Sequence, residues 1–316
     1  MIEINHLVKK YGEHTAVDDL TLTVEPGKIY GFLGPNGAGK STTMNIITGY
    51  LGATSGEVRI NGHDIFSEPE KAKKCIGYLP EIPPLYMEMT VKEYLLFVAE
   101  LKRIDKKERI KQAEEVMEIT RTKEVEGRLI RNLSKGYRQR VGFAQALIGY
   151  PEVIILDEPT VGLDPKQIIE IRELIKELGT KHTIILSSHI LTEISAVCDH
   201  VFIISKGKLV ASDSTEHLLD QMSGAQELKL VVKADADSVK AVLCGVTGIH
   251  TIEELSEQEE GSTSFHIVAE KGCDIREELF LACAKANMPI LEQKTDSKSL
   301  EDVFLQLTSQ EGGRQS

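Results

Sequence analysis

The stretch "GPNGAGKST", Gly34 to Thr42, lies between the apolar run "IYGFL" and the helix-like stretch "TMNIITGY". Glycine tolerates positive φ and has no Cβ, so a glycine-rich turn can point several backbone N–H groups at one ligand. If a helix begins at about Lys40, its free N–H groups and its dipole point at the same place, which favours a phosphate. We therefore predict a strand, a phosphate-binding loop and a helix, in that order.

The spacing of this stretch is that of the P-loop, with Gly34, four residues, then Gly39, Lys40 and Ser41. In a P-loop the lysine reaches the β- and γ-phosphates and the hydroxyl that follows it ligates Mg²⁺. The alternative is a glycine-rich turn that only links a strand to a helix. The predicted nucleotide-binding residues are Gly34, Pro35, Asn36, Gly37, Ala38, Gly39, Lys40, Ser41 and Thr42.

Composition limits the classes of function. The 316 residues suffice for one large domain or two, and the net charge of −12 argues against a nucleic-acid partner. Five scattered cysteines without a C-x-x-C pair predict buried free thiols in a reducing cytosol. The apolar runs are shorter than the ~20 residues that span a bilayer. We expect a cytoplasmic protein whose membrane role, if any, comes from a partner.

A second motif ends in two carboxylates. "VIILDEPT", Val153 to Thr160, predicts a buried strand that delivers Asp157 and Glu158 at its carboxyl end, where open α/β sheets bind ligands. Asp157 is expected to hold Mg²⁺, and Glu158 to accept a proton from an attacking water. A core strand that ends in two solvated acids is the alternative. The preceding P-loop favours the functional interpretation.

The order of elements predicts a P-loop NTPase of the α/β class with a second domain. Alternating strands and helices over residues 1–222 indicate a mostly parallel sheet covered on both faces, with a helical subdomain at about 82–149. Residues 223–308 show the pattern βαββαβ of a small ferredoxin-like α+β domain, followed by a last amphipathic helix, "SLEDVFLQL". Residues 309–316 are predicted to be a disordered tail.

"LSKGYRQR", Leu133 to Arg140, predicts a second helix start that suits an anion. Ser134 is a good N-cap, and Gly136 leaves the helix N-terminus open. One nucleotide does not need two such sites from one chain. Two head-to-tail copies do, since each supplies a P-loop to one nucleotide and a Ser-Gly helix start to the other. An ordinary capped helix is the alternative.

Taken together, these motifs resemble those of the ATP-binding subunit of an ABC transporter, over residues 1 to about 215. The resemblance implies ATP and Mg²⁺ as cofactors, an integral-membrane permease as partner, and a second ATP-binding subunit that forms a homodimer. It implies that Tyr11 stacks on adenine and that Asp164 belongs to the nucleotide site. It also implies that Glu158 is the catalytic carboxylate and that His189 contacts the γ-phosphate.

Two departures from the family pattern concern the site. Where the family usually has a glutamine that touches Mg²⁺ and faces the membrane partner, this chain has Glu81. A carboxylate can also ligate Mg²⁺, although it adds negative charge beside the γ-phosphate. The signature has Lys135 in place of the first glycine of LSGGQ, and Tyr137 in place of glutamine. Lys135 either adds charge toward the opposed triphosphate or faces solvent.

The resemblance favours a cytosolic ATPase that drives an exporter, because the C-terminal pattern is similar to the extension of one exporter subset. A domain that only helps two subunits pair is the alternative for this extension. For the whole chain, one alternative is a soluble ABC-type ATPase that acts on ribosomes or DNA. The single P-loop and the short interval between Lys40 and Asp157 argue against it. A P-loop kinase for a small metabolite leaves "LSKGYRQR" and His189 without a role.

Overall fold

The computed structural model describes residues 1–217, 227–255, 261–270 and 273–296. Within these ranges the chain divides into one compact unit that ends at Thr215 and another that begins at Glu216. The predicted domain boundary between 222 and 223, the predicted C-terminal helix and the predicted tail at 309–316 all lie outside the described residues.

The first unit contains both sheet and helix, in the α/β order that the sequence predicts. Its elements are β1 Ile2–Tyr11, β2 His14–Val24, β3 Ile29–Leu33, α1 Lys40–Ile47, β4 Ser55–Ile60, β5 His63–Asp64, α2 Pro69–Lys74, β6 Ile76–Leu79, α3 Val91–Leu101, α4 Lys106–Ile119, α5 Lys135–Leu147, β7 Val153–Asp157, α6 Pro165–Gly179, β8 Thr183–Ser188, α7 Leu191–Val197, β9 His200–Ser205 and β10 Lys208–Ser214.

The central sheet of this unit has six strands in the order β10-β9-β3-β8-β7-β6. All neighbouring strands pair in parallel except β10, which is antiparallel to β9. Every residue of β3, β7 and β8 is buried, as expected for parallel strands covered on both faces. Since β3, β8 and β7 are adjacent and parallel, the residues that follow them meet at one edge of the sheet.

A smaller antiparallel sheet, in the order β2-β1-β4-β5, carries the N-terminal hairpin. The turn between β4 and β5 contains Asn61 and Gly62, both at positive φ. A two-residue hairpin turn of this type needs positive φ at both positions, which asparagine and glycine adopt more readily than other residues. Between β6 and β7 the chain forms α3, α4 and α5 with two short 3₁₀ turns, Lys123–Val125 and Ile130–Asn132.

Helix α3 begins with a capping box formed by Thr90 and Glu93. The Thr90 hydroxyl accepts from the Glu93 backbone N–H at 3.3 Å, and the Glu93 carboxylate accepts from the Thr90 N–H at 2.8 Å. Across the part of the chain that the structure describes, no helix has both the length and the apolar character that a membrane span requires.

The second unit has the βαββαβ order predicted from the sequence. Its sheet runs in the order β12-β13-β11-β14 with antiparallel pairing throughout, which is the ferredoxin-like arrangement. Its own core includes Leu228, Leu230, Phe265 and Leu279. Its elements are β11 Glu227–Val232, α8 Ala236–Leu243, β12 Ile249–Glu254, β13 Thr263–Ala269, α9 Arg276–Lys285 and β14 Ile290–Asp296.

All five cysteines are free thiols, but the prediction that they are buried is wrong for two of them. Cys198 and Cys283 are buried, Cys75 is half-buried, and Cys244 and Cys273 are exposed. The exposed pair lies at the end of α8 and in the segment before α9, where the chain turns at the surface.

Candidate nucleotide site

The phosphate-binding loop joins the end of β3 to the start of α1, as the sequence predicts. Two of its glycines are required by close backbone approach. A Cβ on Gly34 would lie 2.4 Å from the carbonyl oxygen of Ile204, and one on Gly39 would lie 2.4 Å from that of Ala16. Gly39 also has a φ of +102°, which other residues rarely adopt. The loop can therefore hold this shape only with glycine at both positions.

Lys40 is the first residue of α1, and only 6% of its surface is exposed. Its Nζ donates to the carbonyl oxygen of Gly34 at 2.6 Å and to that of Pro35 at 3.3 Å. It also lies 3.9 Å from Oε1 of Glu158. Burial lowers the pKa of Lys40, while the negative charges of Glu158 and Asp157 act in the opposite direction. A buried cation at a helix N-terminus is an arrangement that attracts an anion.

Asp157, the last residue of β7, lies beside the start of α1. Its Oδ1 accepts from the Ser41 hydroxyl at 3.3 Å and from the Ser187 hydroxyl at 2.5 Å. The structure thus brings together two of the three residues for which the sequence predicts a role in metal binding, Ser41 and Asp157, although they are far apart in the chain. Ser187, at the end of β8, was not among the predicted site residues.

Glu158 directly follows β7, and 8% of its surface is exposed. Its φ of +48° is unusual for a residue with a side chain. Its backbone N–H donates to the Ser187 hydroxyl at 3.0 Å and to the Ser187 carbonyl at 3.2 Å, and these bonds support the conformation. Nδ1 of His189 lies 3.0 and 3.1 Å from the two carboxylate oxygens. Glu158 and His189, predicted as catalytic residues, are therefore in direct contact.

Most of the predicted residues line one cavity of about 390 Å³. It is lined by the loop residues 36–42 together with Tyr11, Glu81, Glu158 and His189. Residues lining it that the sequence did not reveal include His14, Ala16 and Val161. The signal for His14 is its place directly opposite Tyr11 in the β1–β2 pairing, which becomes visible only when the register is known.

The second predicted anion site lies apart from this cavity. Ser134 is the N-cap of α5, and its hydroxyl accepts from the Tyr137 backbone N–H at 3.3 Å. Ser134 and Gly136 line a different cavity of about 240 Å³ and do not line the P-loop cavity. A Cβ on Gly136 would lie 2.6 Å from the end of the Gln167 side chain, so Gly136 lies directly against α6.

Asp164, also predicted to bind the nucleotide, is the N-cap of α6. Its carboxylate accepts from the Gln167 backbone N–H at 2.9 Å, and it lines neither of these two cavities. Its role at a nucleotide stays a prediction.

Lys135 and Tyr137, the two signature residues that depart from the family pattern, each contact a residue of the same chain. The Lys135 side chain is exposed, and its Nζ would be 2.1 Å from a Cβ placed on Gly162, so the ammonium lies against that glycine. The Tyr137 hydroxyl donates to the Glu124 carboxylate, and this hydrogen bond raises the pKa of Tyr137. Tyr137 thus has a partner within its own chain.

The Ser187 hydroxyl connects the two carboxylate residues, so its removal should impair the site. We expect Ser187→Ala to lower kcat for ATP hydrolysis about tenfold, the effect of losing a hydrogen bond to a charged group. The KM for ATP should change little. Phosphate release by the purified chain measures both quantities.

Ser188→Ala is the matched control for Ser187→Ala. Ser188 is equally buried, but its hydroxyl donates to Glu193 at 3.1 Å instead of Asp157. The control should stay within about threefold of the wild-type rate, since neither Ser188 nor Glu193 lines the P-loop cavity. Equal losses of kcat in both variants would show that the Ser187 contacts have no special role.

Comparison with known proteins finds similar sequences and structures among ATP-binding proteins of ABC transporters. A family model described as "ABC transporter" matches residues 17–161. The bacitracin transport ATP-binding protein BcrA of Bacillus licheniformis is 41% identical over 77% of this chain and 78% of its own length. The Nod factor export ATP-binding protein I of Cupriavidus metallidurans is 31% identical over 98% of both chains. A dimeric ATP-binding cassette in a post-hydrolysis state with bound ADP and Pi aligns with a TM-score of 0.61 and 26% identity, over 68% of this chain and 98% of that one.

Proposed function

Because this chain belongs to the ABC transporter family as an ATP-binding subunit, we propose that two copies close head to tail around ATP and drive export through a separate permease. Its activity is ATP hydrolysis coupled to transport. The observation that carries the head-to-tail arrangement is the separation of the two anion sites. Lys40 and Ser41 line one cavity and Ser134 and Gly136 line another, so a second copy is needed to bring a Ser-Gly helix start to each P-loop.

In the proposed site the loop and α1 hold the triphosphate. Residues 36–42, with Lys40 among them, line the cavity in which the phosphates are proposed to bind. Tyr11, 49% exposed at the end of β1, provides a surface on which the adenine stacks. Asp164 is assigned to the closed dimer, in which the segment before α6 approaches the nucleotide of the partner copy.

Glu158 is the proposed base that orients and deprotonates the attacking water. Its carboxylate is held in place by His189, and its backbone by Ser187, so little reorganisation is needed at the moment of reaction. His189 is 41% exposed in its side chain and lines the same cavity, and it is proposed to contact the γ-phosphate and to respond to its loss.

The residues beside the proposed position of the triphosphate are suited to bind Mg²⁺. Mg²⁺ takes one or two protein oxygens and completes its shell with phosphate and water. Ser41 and Asp157 offer such oxygens 3.3 Å apart, and Glu81 lines the same cavity. Within the described ranges no group of three or more His, Cys, Asp or Glu side chains forms an all-protein metal site. Bound to these residues, Mg²⁺ would neutralise charge on the β- and γ-phosphates.

The proposals for export and for the location in the cell are based on the named relatives of this chain. BcrA is named for bacitracin transport, and the Cupriavidus protein is named for Nod factor export. By analogy we assign this chain to the cytoplasmic face of the cell membrane, where it binds the permease through its helical segment 82–149. The relatives named above are transport proteins and give no support to a role at ribosomes or DNA. The 223–308 domain is proposed to be the accessory domain of the exporter subset.

Attachment to a permease can be tested directly. We expect the full chain to be recovered with membranes only when an integral-membrane permease partner is co-expressed. Those membranes should hydrolyse ATP, and Lys40→Met should abolish the hydrolysis while leaving the attachment intact. Inside-out vesicles separate the two directions, because an exporter accumulates its substrate inside them. Recovery of the chain with ribosomes or DNA, independent of the permease, would contradict the proposal.

A further inference from the structure

A lysine lies on the ring of Tyr11. Lys9 and Tyr11 are two residues apart on β1 and therefore project from the same face of the strand. The Lys9 Nζ lies over the Tyr11 ring, 5.2 Å from its centroid, within the range of a cation–π interaction. The same Nζ donates to the carbonyl oxygen of Gly52 at 2.7 Å. One ammonium thus contacts the ring and the backbone of a distant segment.

That segment continues directly from the P-loop helix. After α1, the backbone N–H groups of Tyr50 and Leu51 donate to the carbonyl of Asn45, and Gly52 follows this turn. The bond from Lys9 to Gly52 therefore links the ring of Tyr11 to the chain that leaves the phosphate-binding helix. Lys9 and Gly52 are far apart in the sequence, so this hydrogen bond fixes the position of the Tyr11 ring relative to α1.

The arrangement also determines which side of the ring is available. Tyr11 lines the P-loop cavity, whereas Lys9 is not among the residues lining it. The ammonium therefore does not border the cavity, and a nucleotide base can reach the Tyr11 ring from the cavity side.

We propose that Lys9 is a positioning residue for the nucleotide base, acting through Tyr11. The inference rests on the proposed role of Tyr11 as the surface for adenine. A tyrosine that is 49% exposed has rotamer freedom, which it loses when a base stacks on it. The ammonium, fixed by the Gly52 carbonyl, holds the ring in place before binding, so less entropy is lost on association.

Kinetics of Lys9→Met test this role, because methionine keeps the apolar stem and removes the charge and the donor. We expect the KM for ATP to rise about two- to fivefold, the range of an exposed cation–π contact, with kcat unchanged. Lys9→Arg should restore the KM, since a guanidinium retains both the cation and the donor groups. Lys10→Met is the matched control, because Lys10 is an exposed lysine next to Lys9 in β1 and does not line the P-loop cavity. It should leave the KM unchanged.

Inorganic tripolyphosphate, a probe without a base, separates an effect on the ring from an effect on the phosphates. Its inhibition constant should be the same for the wild type and Lys9→Met. Equal weakening of tripolyphosphate and ATP would overturn the inference, because Lys9 would then act as a distant charge on the phosphates. An unchanged KM in Lys9→Met would overturn it as well.

The double variant distinguishes this inference from the proposed function. Tyr11→Ala should raise the KM for ATP, and adding Lys9→Met should have no further effect, since the ring through which Lys9 acts is gone. A full additional effect in the double variant would overturn the role of Lys9 alone. If Tyr11→Ala left the KM unchanged, the adenine surface assigned under the proposed function would itself be wrong.

Discussion

Glu158→Gln is expected to reduce steady-state ATP hydrolysis by about 10²–10⁴-fold, the contribution of a positioned general base. Glutamine has the size of glutamate and its amide oxygen can still accept from His189, so the shape of the cavity is preserved. It cannot take a proton from water at neutral pH. ATP binding should therefore persist within a few-fold of the wild type, and the ATP-bound dimer should accumulate.

Three measurements define the Glu158→Gln outcome. Phosphate release gives the rate, binding of a fluorescent ATP analogue gives the affinity, and size-exclusion chromatography with ATP gives the fraction of dimer. Glu193→Gln is the control, since Glu193 is an equally buried carboxylate that accepts from the hydroxyls of Thr160 and Ser188. A wild-type rate in Glu158→Gln would remove Glu158 from catalysis, whatever its contact with His189.

The second large effect is expected at the helix start of α5. Ser134→Glu would place a carboxylate where the partner's triphosphate is proposed to bind. We expect the rate of hydrolysis to fall about 10²-fold or more, because a preorganised donor is replaced by a like charge. Nucleotide binding to the P-loop of the single chain should be retained, since Ser134 does not line that cavity.

Mixing two inactive variants tests whether each site needs two chains. Ser134→Glu keeps its P-loop, and Lys40→Met keeps its α5 helix start. In a head-to-tail dimer of the two, one site has both functional halves and the other has neither. An equal mixture should therefore recover about a quarter of the wild-type rate, because about half of the dimers are mixed and each has one good site. A site complete within one chain would give no recovery.

Loss of the helix cap requires its own control. Ser134 caps α5, so its replacement also costs about 1 kcal/mol of stability, as is usual for an N-cap. Thr90→Ala removes the cap of α3 at a similar cost but lies in another part of the helical segment. If Thr90→Ala lowered hydrolysis as strongly as Ser134→Glu, the loss would reflect stability and the proposed interface would lose its support.

The short motifs were predictable because their geometry is local. The P-loop needs a strand, a glycine turn and a helix within a few residues, and the spacing from Gly34 to Ser41 specifies all three. The βαββαβ order of the second unit could also be predicted, since alternation of apolar residues follows from the period of each element. The exposure of Cys244 could not be predicted, because it depends on which surface the end of α8 presents to solvent.

By itself, the sequence determined which residue types are available for phosphate and water chemistry: the loop with Lys40 and Ser41, and the carboxylates Asp157 and Glu158. Only the tertiary structure decided how they meet. The order β3-β8-β7 places the Ser187 hydroxyl between the two carboxylate residues, and the pairing of β1 with β4, which follows the segment after α1, brings Lys9 to Gly52. These contacts join residues far apart in the chain, and strand order and register are set by the packing of the whole unit.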